Sequence, residues 1–391
     1  MAAHRKPVRP PAEQTPLIGP ADVADKFRFF FDKVSPWVSA GSVYGFPMHE
    51  EMTEPTILEG ESSIGALTTT PTGVVLGITT GRRGHLFYFH HSFYVVDLGV
   101  LGEGVTGGAI VTTLGDKIVG GWRGQDGGLF RHDARHELGT GQEDFYSRKA
   151  PVERLSLPGK GEGVLALVYN PTAGATYGLT TSNRIISLAD DARKVRVEVQ
   201  ADARLAPALL RLPDGRLLGA CEEGQLWTYR PGTRAIEKTG AFAPCEKGKR
   251  YVASVQSLLL TRNGVVYGGS GTDGFFFSFD PATGALLNFG KPHRQSFIRA
   301  LTEGHDGLIY GVVEEPKGMA HLFTFDPAGR VFEDLGILNT FIPVQWSPHS
   351  IGALCTGIHG EIYAGESDTI SHLFVYYPPV VRRTGFETAP G

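Results

Sequence analysis

Four side chains in this 391-residue chain are candidates for an elimination next to a carboxylate. His349, which follows the aromatic-containing segment "FIPVQWSP", and Tyr146, within the insert "RHDARHELGTGQEDFYSRKAPVERLSLPGKG", are candidate bases. Arg299, set in the otherwise apolar run "SFIRALTEG", is a candidate charge neutraliser, and Arg123 in "GGWRGQDGG" is another. Such chemistry needs a base within hydrogen-bond reach of the proton and a cation at the carboxylate where charge develops. Its natural substrate class is an acidic, uronate-containing saccharide. Arg299 stands out because a buried arginine without a partner is costly.

The elements that would position these groups follow from a repeat. A tight-turn glycine and a strand-ending glycine recur in "PTGVVLG", "LGDKIVG", "TAGATYG", "PDGRLLG", "RNGVVYG", "HDGLIYG" and "IHGEIYAG". Their turn glycines are Gly73, Gly115, Gly174, Gly215, Gly264, Gly307 and Gly360, between 41 and 59 residues apart. An apolar strand such as "SIGALTT" or "FIRALTE" precedes each turn and a β-rich run follows it. A third strand then reads "HLFYF", "QLWTY", "FFFSFD", "HLFTFD" or "HLFVYY", often running into "DPATG" or "DPAG", whose Asp-Pro and Gly supply a hairpin turn. A fourth strand, "LLNFG" or "VFEDLG", completes a meander.

One such sheet cannot bury both faces, so the units must stack, and a ring leaves no first or last unit exposed. Over residues 54–379 the chain resembles the β-propeller superfamily, with a cadence similar to that of several bacterial seven-bladed groups, binding propellers and some polysaccharide lyases among them. Neither WD40 signatures nor a regular kelch glycine pair is present. The resemblance implies an all-β, seven-bladed propeller of four-stranded antiparallel blades. The last repeat stops one strand short, and a strand from the N-terminal side, "EPTILEG" at 54–60, is expected to close it. Residues 1–20 read as a disordered tail, 21–53 as an extension with a short helix, and 380–391 as a C-terminal tail.

In a propeller, the segments before each first strand and between second and third strands surround the channel mouth. That rule gathers Arg82, His85, Trp122, Arg123, Arg204 and Gln256 as ligand-binding candidates. Arginine forks match carboxylates, and Trp122 beside Arg123 could stack on and clamp a sugar. The plainer reading is a solvated rim, since seven polar loops always supply charges. The insert is likewise either a lid or a variable surface loop. His85, His321 and His372 share one repeat position, either as a structural motif in which a ring nitrogen bonds a neighbouring loop carbonyl, or as ligands to a metal or carboxylate. Because their repeats are not all adjacent, one shared three-histidine metal site is not expected. No metal site is assigned and no cofactor is expected, with a channel calcium ion held open by Asp126, Asp273, Glu314 and Asp368 although no EF-hand-like loop occurs.

Composition narrows the classes. The chain is 41% hydrophobic and 20% charged with a net charge of -4, which suits a globular protein and not a nucleic-acid binder. No run approaches the ~20 apolar residues of a membrane-spanning helix. Cys221, Cys245 and Cys355 are too scattered for a disulfide framework or a thiolate metal site. No secretory signal is apparent, so the chain as written reads as cytoplasmic, or secreted or periplasmic if a signal has been removed. "GxSxG", "HExxH" and paired CxxC motifs are missing. In "ADVADKFRFFFDKVSPW", Phe27, Phe30, Phe31 and Val34 form a helical apolar stripe that packs on the ring or binds a protein partner. Two functions stay open: a lyase on an acidic saccharide bound at the channel mouth, and a non-catalytic propeller that binds a ligand or protein as a scaffold or assembly subunit.

Overall fold

The computed structural model describes residues 41–48, 57–89, 95–135, 152–295, 297–314, 318–340 and 345–379. The expected tails, the Phe-rich helix and most of the insert, Tyr146 included, lie outside the described residues. Chain order begins with β1 (Ser42–Pro47), β2 (Ser63–Thr69), β3 (Val75–Phe89), β4 (Val95–Thr112), β5 (Lys117–Gly124), β6 (Gly128–Asp133) and β7 (Glu153–Leu155). Next come β8 (Val164–Asn170), β9 (Ala175–Thr180), β10 (Arg184–Ala189) and β11 (Arg196–Gln200), then β12 (Leu205–Arg211), β13 (Leu217–Cys221), β14 (Gln225–Tyr229) and β15 (Ile236–Phe242). They are followed by β16 (Val255–Leu260), β17 (Val266–Ser270), β18 (Phe276–Phe279) and β19 (Leu286–Gly290), and by β20 (Phe297–Glu303), β21 (Ile309–Glu314), β22 (His321–Asp326) and β23 (Val331–Ile337). The last are β24 (Ile351–Thr356), β25 (Ile362–Glu366) and β26 (His372–Tyr377).

These strands form a β-propeller of antiparallel sheets. The expectation of seven separate four-stranded sheets is corrected: there are six, five of four strands and one of six, β2 to β7. The reason is β4, an unbroken 18-residue strand. Its first part pairs with β3 and its second part with β5, and pairs such as Arg83↔Glu103 and Gly81↔Val105 keep the ladder running between them. The first two repeats therefore share one sheet. Around the axis β2 packs on β4, β4 on β8, β8 on β12, β12 on β16, β16 on β20, β20 on β24 and β24 back on β2.

The ring is closed by an N-terminal strand, but a different one from that expected. β1 pairs antiparallel with β26 from Ser42↔Tyr377 to Pro47↔His372. Of the expected closing segment 54–60, the described part, residues 57–60, carries no strand. Met48 and Ile57 pack with Leu373 and Val375 instead, so this segment covers the closure from one side.

The repeated cadence has a packing cause. All seven turn glycines have φ between 57° and 92°, where side chains other than glycine are strained. The strand-ending glycine sits opposite a large side chain on the third strand: Gly120↔Phe130, Gly219↔Trp227, Gly268↔Phe277 and Gly311↔Phe323. A Cβ added at any of these four would meet that ring at 2.2 to 2.4 Å. Each aromatic thus lies flat across its own sheet. Phe130, Trp227, Phe277 and Phe323 are fully buried between neighbouring sheets, where the core lies.

Candidate functional site

First and second strands run antiparallel, so the start of one and the end of the other meet at one end of the ring. The registers show it in Ser63↔Thr80, Val164↔Thr180, Leu205↔Cys221, Val255↔Ser270, Phe297↔Glu314 and Ile351↔Glu366. Charged side chains placed there by separate repeats form a mouth, and most of them are already paired.

In the first repeat Arg83 forks onto Glu61, Nε at 3.0 Å and Nη2 at 2.9 Å from Oε2. His85 reaches the same oxygen with Nε2 at 3.2 Å and Asp97 Oδ2 with Nδ1 at 3.0 Å. Burial pulls the His85 pKa down, yet the hydrogen bonds and charges of Asp97 and Glu61 outweigh it and the net shift is upward. When protonated, the ring donates from both nitrogens, and the two cations balance the two carboxylates. Burial pushes the Glu61 carboxyl up, but Arg83 and His85 hold it below the ordinary range. Arg82 is more exposed, donating to the Glu59 carbonyl at 3.0 Å.

A parallel arrangement follows in the third repeat, where Glu162 accepts from Thr180 Oγ1, from the Gly159 amide at 2.8 Å and from Arg184 Nη1 at 3.2 Å. Arg204 Nε lies 3.1 Å from Glu222 Oε1. Arg299, the candidate charge neutraliser, donates through Nε to Glu314 Oε1 and is 43% exposed. The second oxygen of Glu314 accepts from Ser350 Oγ at 2.8 Å and from the Ile351 amide at 3.2 Å. The cost assigned to Arg299 is therefore met by a neighbouring strand.

Arg123 is the exception. Among the described residues its guanidinium has no hydrogen bond or ion pair. It sits half-buried at the end of β5, between the chains of Gly107 and Gly163. A Cβ at Gly107 would stand 2.2 Å from its Cζ, and one at Gly163 would stand 2.5 Å from its own Cβ. Burial depresses its pKa, as it must for a cation whose water has been removed without a replacement anion.

Its neighbour Trp122, expected to stack on a sugar, faces the opposite way. It is buried against Phe130, donates its Nε1 proton to the Asp126 carbonyl, and has Arg154 Cζ 5.9 Å from its ring. Alternation along a strand sends successive side chains to opposite faces, so Trp122 and Arg123 cannot both line the mouth.

The last repeat supplies a buried acid. Glu366, 1% exposed, accepts from Trp346 Nε1 at 2.8 Å and from the His372 amide at 2.8 Å, and its Oε2 lies 3.0 Å from His372 Nδ1. Burial raises its pKa to about 8, with the Asp368 charge adding to the rise and the Trp346 hydrogen bond opposing it. Asp368 accepts from the His349 and Ser350 amides at 3.1 and 3.3 Å. His349 itself is exposed, and its ring makes no hydrogen bond among the described residues.

Beside the mouth lies a cavity of about 260 Å³, with Arg204, Glu222, Asn183, Thr181, Ser254 and Gln256 around its rim and Leu165, Leu205, Ala206 and Pro207 below. Arg204 and Gln256 are thus brought together there. His349 and Arg299 meet only through Ser350, whose hydroxyl bonds Glu314 and whose amide bonds Asp368. Among the described residues the four acids named for calcium are not grouped as ligands, and three have other partners: Glu314 and Asp368 those given above, and Asp273, which accepts from the Glu246 amide at 3.0 Å.

The three histidines at the equivalent position do bond a neighbour through Nδ1, but to carboxylates of their own sheets in place of loop carbonyls: His85 to Asp97, His321 to Asp334 at 3.1 Å, and His372 to Glu366. Asp97 and Asp334 both open an Asp-Leu-Gly triplet whose glycine amide bonds back to the aspartate, at 2.8 and 2.9 Å. The paired recurrence of "HLF" and "DLG" in repeats one and six was a signal available in the sequence.

No protein-family model matches the chain, and no curated protein matches it in sequence. Solved structures do. A streptogramin B lyase aligns with a TM-score of 0.61 at 11% identity, covering 86% of this chain and 98% of that one. A selenomethionine-substituted virginiamycin B lyase from Staphylococcus aureus gives 0.63 at 10% identity, covering 85% and 98%. The WD40 β-propeller domain of Doa1 gives 0.55 at 12%, covering 81% and 93%. The likeness is one of fold. At such identities architecture is shared and residue roles are not transferred.

Proposed function

We propose that the protein binds an acidic ligand, a uronate-bearing saccharide foremost, at the mouth of the ring, with Arg123 as the carboxylate-binding group. The observation that carries this reading is the unpaired guanidinium in a glycine-lined slot. A half-buried cation without a counter-ion costs several kcal/mol unless something compensates, and a carboxylate matches its fork in two parallel hydrogen bonds. Arg204, Gln256 and the cavity beside them would hold the remainder of the ligand, with Arg82 and His85 as the first repeat's candidates.

The finer reading is a lyase. Elimination needs a base beside the bound uronate, and His349, exposed and with its amide anchored on Asp368, is the described candidate, with Tyr146 as the other. Two of the similar folds are lyases by name, which supports the class of reaction without identifying a substrate. The competing reading, binding without chemistry, draws on Arg299, whose charge is already neutralised by Glu314. Calorimetry with oligogalacturonate and oligomannuronate, together with the ultraviolet absorbance of unsaturated uronate products, separates the three outcomes. Binding that Arg123→Gln weakens at least about ten-fold supports the site. New absorbance that His349→Ala removes supports the lyase, and binding without it supports the scaffold. Binding unaffected by Arg123→Gln overturns the proposal.

A further inference from the structure

We infer that His293, His321 and Asp334 form a site for a divalent transition-metal ion of the zinc class, which does not depend on the acidic ligand proposed above. His293 lies on the segment joining β19 to β20, His321 opens β22, and Asp334 is on β23. One ligand atom from each lies within 4.8 Å of the other two. His321 Nδ1 is 3.1 Å from Asp334 Oδ1, and His293 Nε2 is 3.8 Å from Asp334 Oδ2. Zinc–nitrogen and zinc–oxygen bonds of about 2.0 to 2.2 Å at tetrahedral angles place ligand atoms about 3.4 Å apart. The two aspartate–histidine separations bracket that value, and the third is within 4.8 Å, so loading needs local contraction.

The first repeat shows why the cluster differs from an ordinary ion pair. There the equivalent histidine, His85, has the equivalent aspartate, Asp97, on one nitrogen and Glu61 on the other, and Arg83 completes the charge balance. In the sixth repeat, the group arriving from the segment before the first strand is the imidazole of His293, not a carboxylate. The set becomes two imidazoles and one carboxylate, which favours zinc, nickel or cobalt over calcium or magnesium, whose sites are built from oxygen. Three protein ligands leave a fourth position for water. The Gly336 amide, 2.9 Å from Asp334 Oδ1, holds the carboxylate from behind. With its side chain 37% exposed, Asp334 also gives the ion a path from solvent.

The two rings are stacked with centroids 4.3 Å apart and planes 25° apart. His293 lies outside a strand, and its Nδ1 accepts from the Gln295 amide at 3.3 Å. The bound ion would tie the segment between the fifth and sixth repeats to the outer strands β22 and β23.

The test uses the full chain stripped with a chelator, titrated with zinc by calorimetry and with cobalt(II) followed by visible absorption. One zinc per chain and a cobalt spectrum of low coordination number are expected, with zinc affinity at least about ten-fold weaker and the cobalt bands lost in both His293→Ala and Asp334→Asn. His293→Ala removes a side chain outside any strand, and circular dichroism establishes that each variant is folded. Zinc affinity unchanged in both folded variants, failure of the parent chain to bind zinc, or equal uptake of calcium would overturn the inference.

Discussion

The guanidinium of Arg123 occupies the space that a side chain at Gly107 would need, with its Cζ 2.2 Å from where a Cβ would stand. Gly107 and Arg123 are register partners on β4 and β5. The inner strand gives up a side chain, and the arginine of the second strand crosses it. Arg299, by contrast, finds its counter-ion one strand away in Glu314. The two arginines therefore have opposite electrostatic states.

This difference has a stability consequence. Arg123→Met keeps most of the volume and removes an uncompensated cation, so chemical denaturation should show stability unchanged or raised by about 1 kcal/mol. Gly107→Ala should displace the guanidinium, the flexible end of a long side chain, and weaken acidic-ligand binding more than it lowers stability. A marked loss of stability in Arg123→Met would show that the guanidinium has a stabilising contact after all.

Glu366 makes the fold sensitive to alkaline pH. Its folded pKa, about 8, lies above that of an unfolded glutamate, so the folded state holds the proton more tightly. The stabilisation is fully present below the unfolded value near 4.5 and is lost progressively as pH rises through about 8. Melting temperature should fall between pH 5 and pH 8, and Glu366→Gln, which cannot titrate but retains an oxygen for Trp346, should flatten that fall. The total effect is on the order of a few kcal/mol. Parallel pH profiles for the two proteins would show the glutamate has no such role.

The glycine-aromatic pairs should resist enlargement. At Gly311 an added methyl would stand 2.3 Å from Phe323 Cζ and 2.8 Å from Leu301 Cδ2. Gly311→Ala is expected to cost about 1 to 3 kcal/mol by overpacking. The seventh repeat carries Ala364 opposite Phe374, so Ala364→Gly should cost less than the change at Gly311. Urea midpoints of the two variants compare them directly, and equal midpoints would remove the packing explanation.

Local chemistry made the sheets legible in advance. Each turn glycine, each "LF" strand and each Asp-Pro hairpin is a short-range signal, and the ring followed because four-stranded meanders must cover one another's faces. The same signals could not reveal that β4 runs on from one repeat into the next, since hydrogen-bond continuity through Glu103 and Val105 depends on how β3 lies beside them. Nor could they choose between 42–47 and 54–60 for the closing strand, because both are short and the choice is made by pairing with β26 at the far end of the chain.

At the mouth the sequence by itself determined which residue types gather there: arginines, acids and histidines brought to one end by the alternation of strands and loops. Only the tertiary structure decided which of them are neutralised. Whether Arg299 meets Glu314, whether Trp122 or Arg123 faces the opening, and whether His321 has a second imidazole beside it depend on contacts between strands and neighbouring repeats. Charge compensation falls off over a few ångströms, whereas the residues that supply it are separated by tens of positions along the chain.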